Sequence, residues 1–141
     1  MNNTTSNNPT TIKALLMTDD AYLHNICTNI INRAGYEMYL ATTVQKASSF
    51  LRRSQFNLLL CDIETDSGRG IDLLRQHALT LKKRGTKIIV LATEKHFYSL
   101  CEDMGADFFL EKPLSAKSLL NLADYFKAQT PRPTNPRTQA I

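Results

Sequence analysis

Carboxylates and one lysine stand at the ends of short apolar runs in this chain. Thr18-Asp19-Asp20 follows the run at residues 12–17, Asp62 closes Leu58-Leu59-Leu60-Cys61, and Glu111-Lys112-Pro113 follows Phe108-Phe109-Leu110. Carboxylates gathered in one partly buried pocket repel one another, which raises their pKa values unless a cation joins them. A hard divalent ion resolves that repulsion, and Mg²⁺ in particular takes a few carboxylates with waters and phosphate oxygens. A lysine at the same place acts as a point charge on phosphate. A free carboxylate, a metal and a lysine together suit in-line phosphoryl transfer onto an aspartate, a reaction that needs positioning and charge neutralisation. The plainer alternative is an acidic cluster salt-bridged to Lys112 with no ligand, in which Asp62 only caps the next loop.

Either reading requires these residues to meet, and the order of elements brings them together. The all-apolar run ending at Asp62 reads as a strand buried on both faces, and Ile63 to Gly70 as a turn-rich loop. Residues 12–17 read as a first strand. Leu23, Ile26, Cys27, Ile30, Ile31 and Ala34 then form a helical stripe that Gly35 stops. Residues 36–41 are a weaker strand, and Thr43 caps a helix bearing Val44, Ala47, Phe50 and Leu51. Beyond the loop, Ile71, Leu73, Leu74, Ala78 and Leu81 mark a third helix closed by Lys82-Lys83-Arg84-Gly85, where cations suit the helix dipole. Residues 87–91 are a fourth strand, 95–104 a short helix ending at Gly105, and 107–110 a fifth strand. Ser115 caps a last helix with Ala116, Leu119, Leu120, Ala123 and Phe126 on one side. Strand and helix thus alternate in a (βα)5 pattern, which predicts a five-stranded parallel sheet doubly wound by helices, a flavodoxin-like α/β fold. Right-handed crossovers place every strand's carboxyl end on one edge, where open α/β sheets gather ligands.

The remaining composition narrows the function. At 141 residues the chain is one domain, with residues 1–11 expected to be disordered, 12–127 folded and 128–141 a flexible, basic, proline-rich tail. The net charge of +4 owes much to Lys127, Arg132 and Arg137, which lie in a stretch without acids, so direct nucleic-acid binding is not expected. Cys27, Cys61 and Cys101 are isolated and set in apolar patterns, as structural thiols in a reducing cytoplasm would be. No apolar run reaches membrane-spanning length, and no signal peptide is seen. No nucleophile–base pair recommends a hydrolase, so an enzyme is not expected.

The acidic group after strand one, the aspartate after strand three with Gly70 eight residues on, and Gly105-Ala106-Asp107 before Phe109-Leu110-Glu111-Lys112-Pro113 carry a family resemblance. In these motifs the chain resembles the receiver domain of bacterial two-component response regulators over residues 12–127. The resemblance implies that Asp62 is the phosphoacceptor and that Asp19, Asp62 and the main-chain carbonyl of Glu64 hold Mg²⁺. It implies that Lys112 contacts the phosphoryl group, that its bond to Pro113 is cis, and that Phe109 is the aromatic switch. The partners implied are a histidine kinase or phosphotransfer protein and a downstream protein meeting the face of the fourth helix, fifth strand and fifth helix. A homodimer is a further implied route, and with no output domain following in this sequence the signal is expected to pass through a partner or through dimerisation.

The sequence also departs from the family pattern. Thr18 takes the first position of the acidic pair, with Asp20 next in line to compensate. Ala92 falls where the family has Thr or Ser at the end of strand four, leaving Thr93 to serve if the strand end shifts. Asp66 replaces a loop proline, and Glu64 adds an acid beside the site. These departures keep open an alternative, a pseudo-receiver that binds partners without phosphorylation. Phe97 and Tyr98 lie in a shortened fourth helix, so one of the two rings is expected to be exposed on the output face.

Overall fold

Side chains in a strand alternate between its two faces, and here that alternation splits the apolar strand residues between two cores. The computed structural model describes residues 11–65 and 70–129. Its strands are β1 (Lys13–Met17), β2 (Glu37–Ala41), β3 (Leu58–Asp62), β4 (Lys87–Ala92) and β5 (Phe108–Glu111). Its helices are α1 (Ala21–Arg33), α2 (Val44–Arg53), α3 (Gly70–Arg84), α4 (Tyr98–Met104) and α5 (Ala116–Gln129). The strands form one parallel sheet in the order β2-β1-β3-β4-β5, so the doubly wound (βα)5 architecture is the observed one.

Leu15, Met17, Leu59, Cys61, Ile88 and Val90 join α2, α3 and Cys101 of α4 in one core. Ala14, Leu16, Leu58, Leu60, Ile89 and Leu91 join α1 and α5 in the other. Each fully buried leucine contributes about 2 kcal/mol of transfer free energy. The run 58–60 therefore anchors β3 between both layers and leaves its last residue, Asp62, at the carboxyl edge.

Local signals set the element ends. Asp20 caps α1 by accepting from the amides of Tyr22 and Leu23 at 2.8 and 3.3 Å, and Thr43 caps α2 by accepting from Lys46 N at 3.1 Å. Ser115 Oγ accepts from Ser118 N at 3.1 Å at the start of α5. Gly105, with φ +114°, closes α4 in the left-handed conformation that only glycine adopts cheaply, and turns the chain directly into β5. The thiols of Cys27, Cys61 and Cys101 are free and buried; burial pushes Cys27 up to about 12 and raises the other two as well.

Several boundaries differ from the sequence reading. The helix expected over 95–104 is a 3-10 turn, Lys95–Phe97, followed by α4. The junction falls between the two aromatic residues, so the geometry of a single helix no longer sets one ring outward. Phe97 and Tyr98 both pack partly buried against the core, and the exposed apolar side chains on this side are Leu100, Phe108 and Tyr125 instead. Strand β5 begins at Phe108, one residue later than expected; just before it Asp107 N donates to the Ile88 carbonyl at 2.9 Å and the Asp107 carboxylate accepts from Ile88 N at 2.8 Å. Helix α5 continues through Ala128 to Gln129. The rest of the expected tail, and residues 1–10 of the expected disordered start, lie outside the described residues.

Thr86, 2% exposed between α3 and β4, donates its hydroxyl to the Phe56 carbonyl at 2.6 Å. Thr86→Val keeps the shape and leaves that buried carbonyl without its donor. A loss of about 1–2 kcal/mol is expected, read as a lower urea midpoint with an unchanged slope.

Candidate functional site

Sheet register builds the site. In β1 and β3 Met17 pairs with Cys61, so the next residue along, Thr18, stands beside Asp62. Both residues are one step past positions that face the α2–α3 core, so both turn to the other side. The Thr18 hydroxyl donates to Asp62 Oδ2 at 2.7 Å and accepts from Asp20 N at 3.1 Å. On the opposite flank Asp62 pairs with Leu91 of β4, and Ala92 pairs with Glu111 at the end of β5. Lys112 N then donates to the Ala92 carbonyl at 2.9 Å, which extends the pairing and directs the lysine side chain along the sheet edge. Its Nζ reaches Asp62 Oδ1 at 2.7 Å. The Lys112–Pro113 peptide is cis, as the resemblance implies.

Asp62 is 1% exposed, and its carboxylate also accepts from Glu64 N at 2.9 Å. Glu64 extends its own carboxylate over the same edge. It pairs with Lys112 Nζ at 3.1 Å, accepts from Thr93 N at 3.0 and 2.9 Å, and accepts from Thr93 Oγ1 at 2.9 Å. Burial works against the charge of Glu64, but the Thr93 amide, Lys112 and the Thr93 hydroxyl outweigh it and hold this carboxyl below the usual range. Burial likewise opposes the Lys112 charge. Its bonds to Asp62 and Glu64 prevail and push the ammonium pKa up.

The pocket therefore joins Asp62, Lys112, Glu64 and Thr93, with Thr18 as an unforeseen member. Asp19 and Asp20 are exposed beside it, and the Asp20 carboxylate is engaged as the α1 cap rather than directed at Asp62. Ala92 is fully buried in the opposite core, while Thr93 gives its hydroxyl to Glu64. Phe109 is partly buried and stacks on Tyr98, ring centroids 4.6 Å apart at 22°. Asp66 lies outside the described residues.

Among the described residues no group of three or more His, Cys, Asp or Glu is placed to hold a metal ion. The oxygens at this edge are nonetheless hard donors, and Mg²⁺ needs only one or two carboxylates when waters and phosphate oxygens complete its shell. Asp62, Asp19 and the Glu64 main-chain carbonyl meet that smaller requirement by chemical type.

Thr18 was readable only as an uncharged departure from the acidic pair, and no spacing signal gives it a partner. The register does so. Gly70 is the other positioning residue, because a Cβ there would meet the Asp62 carbonyl and lie 2.6 Å from Ile63 Cα. The start of α3 thus packs directly on the main chain that carries the site.

A model of the response regulator receiver domain family matches residues 14–124. A CheY-like receiver domain protein from Methanospirillum hungatei JF-1 is similar in structure, with a TM-score of 0.73 at 23% identity, over 85% of this chain and 99% of that one. The chemotaxis response regulator CheY4 of Vibrio cholerae matches with a TM-score of 0.73 at 21% identity, over 83% and 99%. The BeF3-activated DrrB receiver domain matches with a TM-score of 0.73 at 18% identity, over 84% and 98%.

Two substitutions check these placements. Gly70→Ala overpacks the contact with Asp62 and Ile63 and is expected to cost about 1–3 kcal/mol in a denaturant titration. Asp20→Ser keeps a capping oxygen and is expected to hold the melting temperature near wild type, whereas Asp20→Ala loses about 1 kcal/mol.

Proposed function

The chain belongs to the response regulator receiver family, and from that premise we propose that it is a phosphoacceptor switch of a two-component relay, phosphorylated on Asp62. The observation that carries this reading is the buried Asp62 carboxylate at the carboxyl edge of the sheet with Lys112 Nζ 2.7 Å from Oδ1. In the proposed reaction an Asp62 oxygen attacks the phosphorus of a phosphohistidine on a histidine kinase or phosphotransfer protein. A P–O bond forms as the P–N bond breaks, and the released imidazole takes up a proton. Lys112 stays beside the acceptor and offsets the charge that arrives. Asp19, Asp62 and the Glu64 carbonyl are the residues that would hold Mg²⁺, which when bound supplies further neutralisation of the phosphoryl oxygens.

Output follows from the two strand ends that the pocket joins. Lys112 is the continuation of β5, whose Phe109 stacks on Tyr98 of α4, so a change at the lysine acts on the packing of α4 against β5. Leu100, Phe108 and Tyr125 give the α4-β5-α5 face exposed apolar contact area for a downstream protein or a second copy of the chain. No helix of the described residues is long and apolar enough to cross a membrane. The reading places the protein in the cytoplasm with its kinase, without nucleic acid as a direct partner and without a reaction on a small-molecule substrate.

A second reading, a pseudo-receiver acting through the same face without phosphorylation, is favoured by the hydrogen bond of Thr18 to Asp62 and by Ala92 in place of a hydroxyl residue. Intact-mass spectrometry after incubation with acetyl phosphate separates the two, with Asp62→Asn and a chelator as controls. A phosphate adduct on wild type that requires Mg²⁺ and is absent from the variant is the expected result. If the folded protein acquires no adduct from acetyl phosphate or from a phosphohistidine donor, the pseudo-receiver reading replaces it.

A further inference from the structure

The Glu64 carboxylate is the group the proposed transfer does not use, and it collects three donors, as many as Asp62 itself. Lys112 Nζ, Thr93 N and Thr93 Oγ1 converge on it at 3.1, 2.9 and 2.9 Å. These donors come from the ends of β4 and β5, while Glu64 follows β3, so one side chain ties three strand ends together. An ion pair at a surface contributes little and costs side-chain freedom. This one is held by an ammonium, an amide and a hydroxyl together, which is the donor set of an anion site.

We propose that the Glu64 carboxylate is a tethered competitor in this pocket, holding Lys112 and Thr93 until a phosphoryl group on Asp62 displaces it. The inference rests on the phosphoacceptor reading given above and names a regulation of that site. Lys112 Nζ is shared, at 2.7 Å from Asp62 and 3.1 Å from Glu64. A phosphoryl group carries about −1.5 to −2 charges where the Asp62 carboxylate carries one, so with Glu64 in place the excess of negative charge around Lys112 would grow. Repulsion between them is relieved when Glu64 leaves. The way out is open, because the Glu64 side chain is 25% exposed and Thr93 lies at the surface. Only the side chain has to move, since the Glu64 amide donates to Asp62 Oδ1 at 2.9 Å and holds the main chain where it is. Before phosphorylation, therefore, the end of β4 is already closed on an anion. Phosphorylation exchanges one anion for another and swings a carboxylate into solvent.

The test compares wild type, Glu64→Gln and Glu64→Ala, all checked for wild-type melting behaviour. Initial rates of labelling by acetyl phosphate with Mg²⁺ are read by intact mass. Glu64→Ala is expected to label about tenfold faster than wild type, the effect of removing one competing charge-assisted interaction. Glu64→Gln, which keeps the shape and loses the charge, is expected to fall between them. Equal rates in all three overturn the competitor and leave the phosphoacceptor reading standing. If none labels from acetyl phosphate or from a phosphohistidine donor, the phosphoacceptor reading fails, and the competitor is decided by titrating inorganic phosphate while following the Thr93 amide by NMR. A response in Glu64→Ala that wild type lacks upholds it. A response in both, or in neither, overturns it.

Discussion

A carboxylate that is 1% exposed needs compensation for its lost hydration, and the Asp62–Lys112 pair at 2.7 Å is the interaction on which the rest of the sheet edge depends. The lysine alone leaves lone pairs unfilled. The Glu64 amide and the Thr18 hydroxyl take them, one from the loop after β3 and the other from the end of β1. Among the described residues no buried side-chain nitrogen or oxygen lacks a hydrogen-bond partner, so this charge is fully accommodated rather than tolerated. The accommodation is expensive in geometry. It requires β1, β3 and β5 to end level with one another, which the parallel register and the two apolar cores enforce from below.

This dependence explains why so much of the fold could be read from the residues. Leu58-Leu59-Leu60-Cys61 has no polar alternate position, so it had to be a strand covered on both sides, and a strand of that kind has to lie inside a parallel sheet. Thr43 and Ser115 advertise helix starts by their own chemistry, and Gly105 advertises an exit. Asp62 and Lys112 were legible because each is a charge at or just past the end of an apolar run, at the sheet edge where a parallel fold brings strand ends together.

What stayed hidden depended on register and rotamer, which no local pattern encodes. Thr18 reads as a lost acid, yet the β1–β3 register makes it a donor to the Asp62 carboxylate. Glu64 reads as surplus negative charge near the site. Its role follows from the lysine and the threonine that two other strands bring within reach. The break between the 3-10 turn and α4 was equally invisible, because the apolar spacing of Phe97, Tyr98 and Cys101 suits one continuous helix. Tyr98, the first residue of α4, stacks on Phe109 of β5. The similar receiver structures are under 25% identical and speak only for the fold, so these substitutions must be understood from their own contacts.

The contacts also say where a signal could travel. Thr93 and Lys112 lie directly after β4 and β5, and Glu64 bridges them. A change in what occupies that bridge would act on these two strand ends, which the Lys112 amide to Ala92 carbonyl bond also joins. The stacked Tyr98–Phe109 pair spans α4 and β5, so it is the packed element that must either follow that change or resist it. Packed interiors have discrete arrangements rather than soft ones. A ligand shifts such an equilibrium only by its differential affinity for the two states. With a carboxylate already in the bridge, that differential is the difference between two anions, not between an anion and empty solvent. On the proposed reading, a switch built this way would respond to the extra charge and volume of phosphate over carboxylate, and its resting state would be correspondingly closer to its active one.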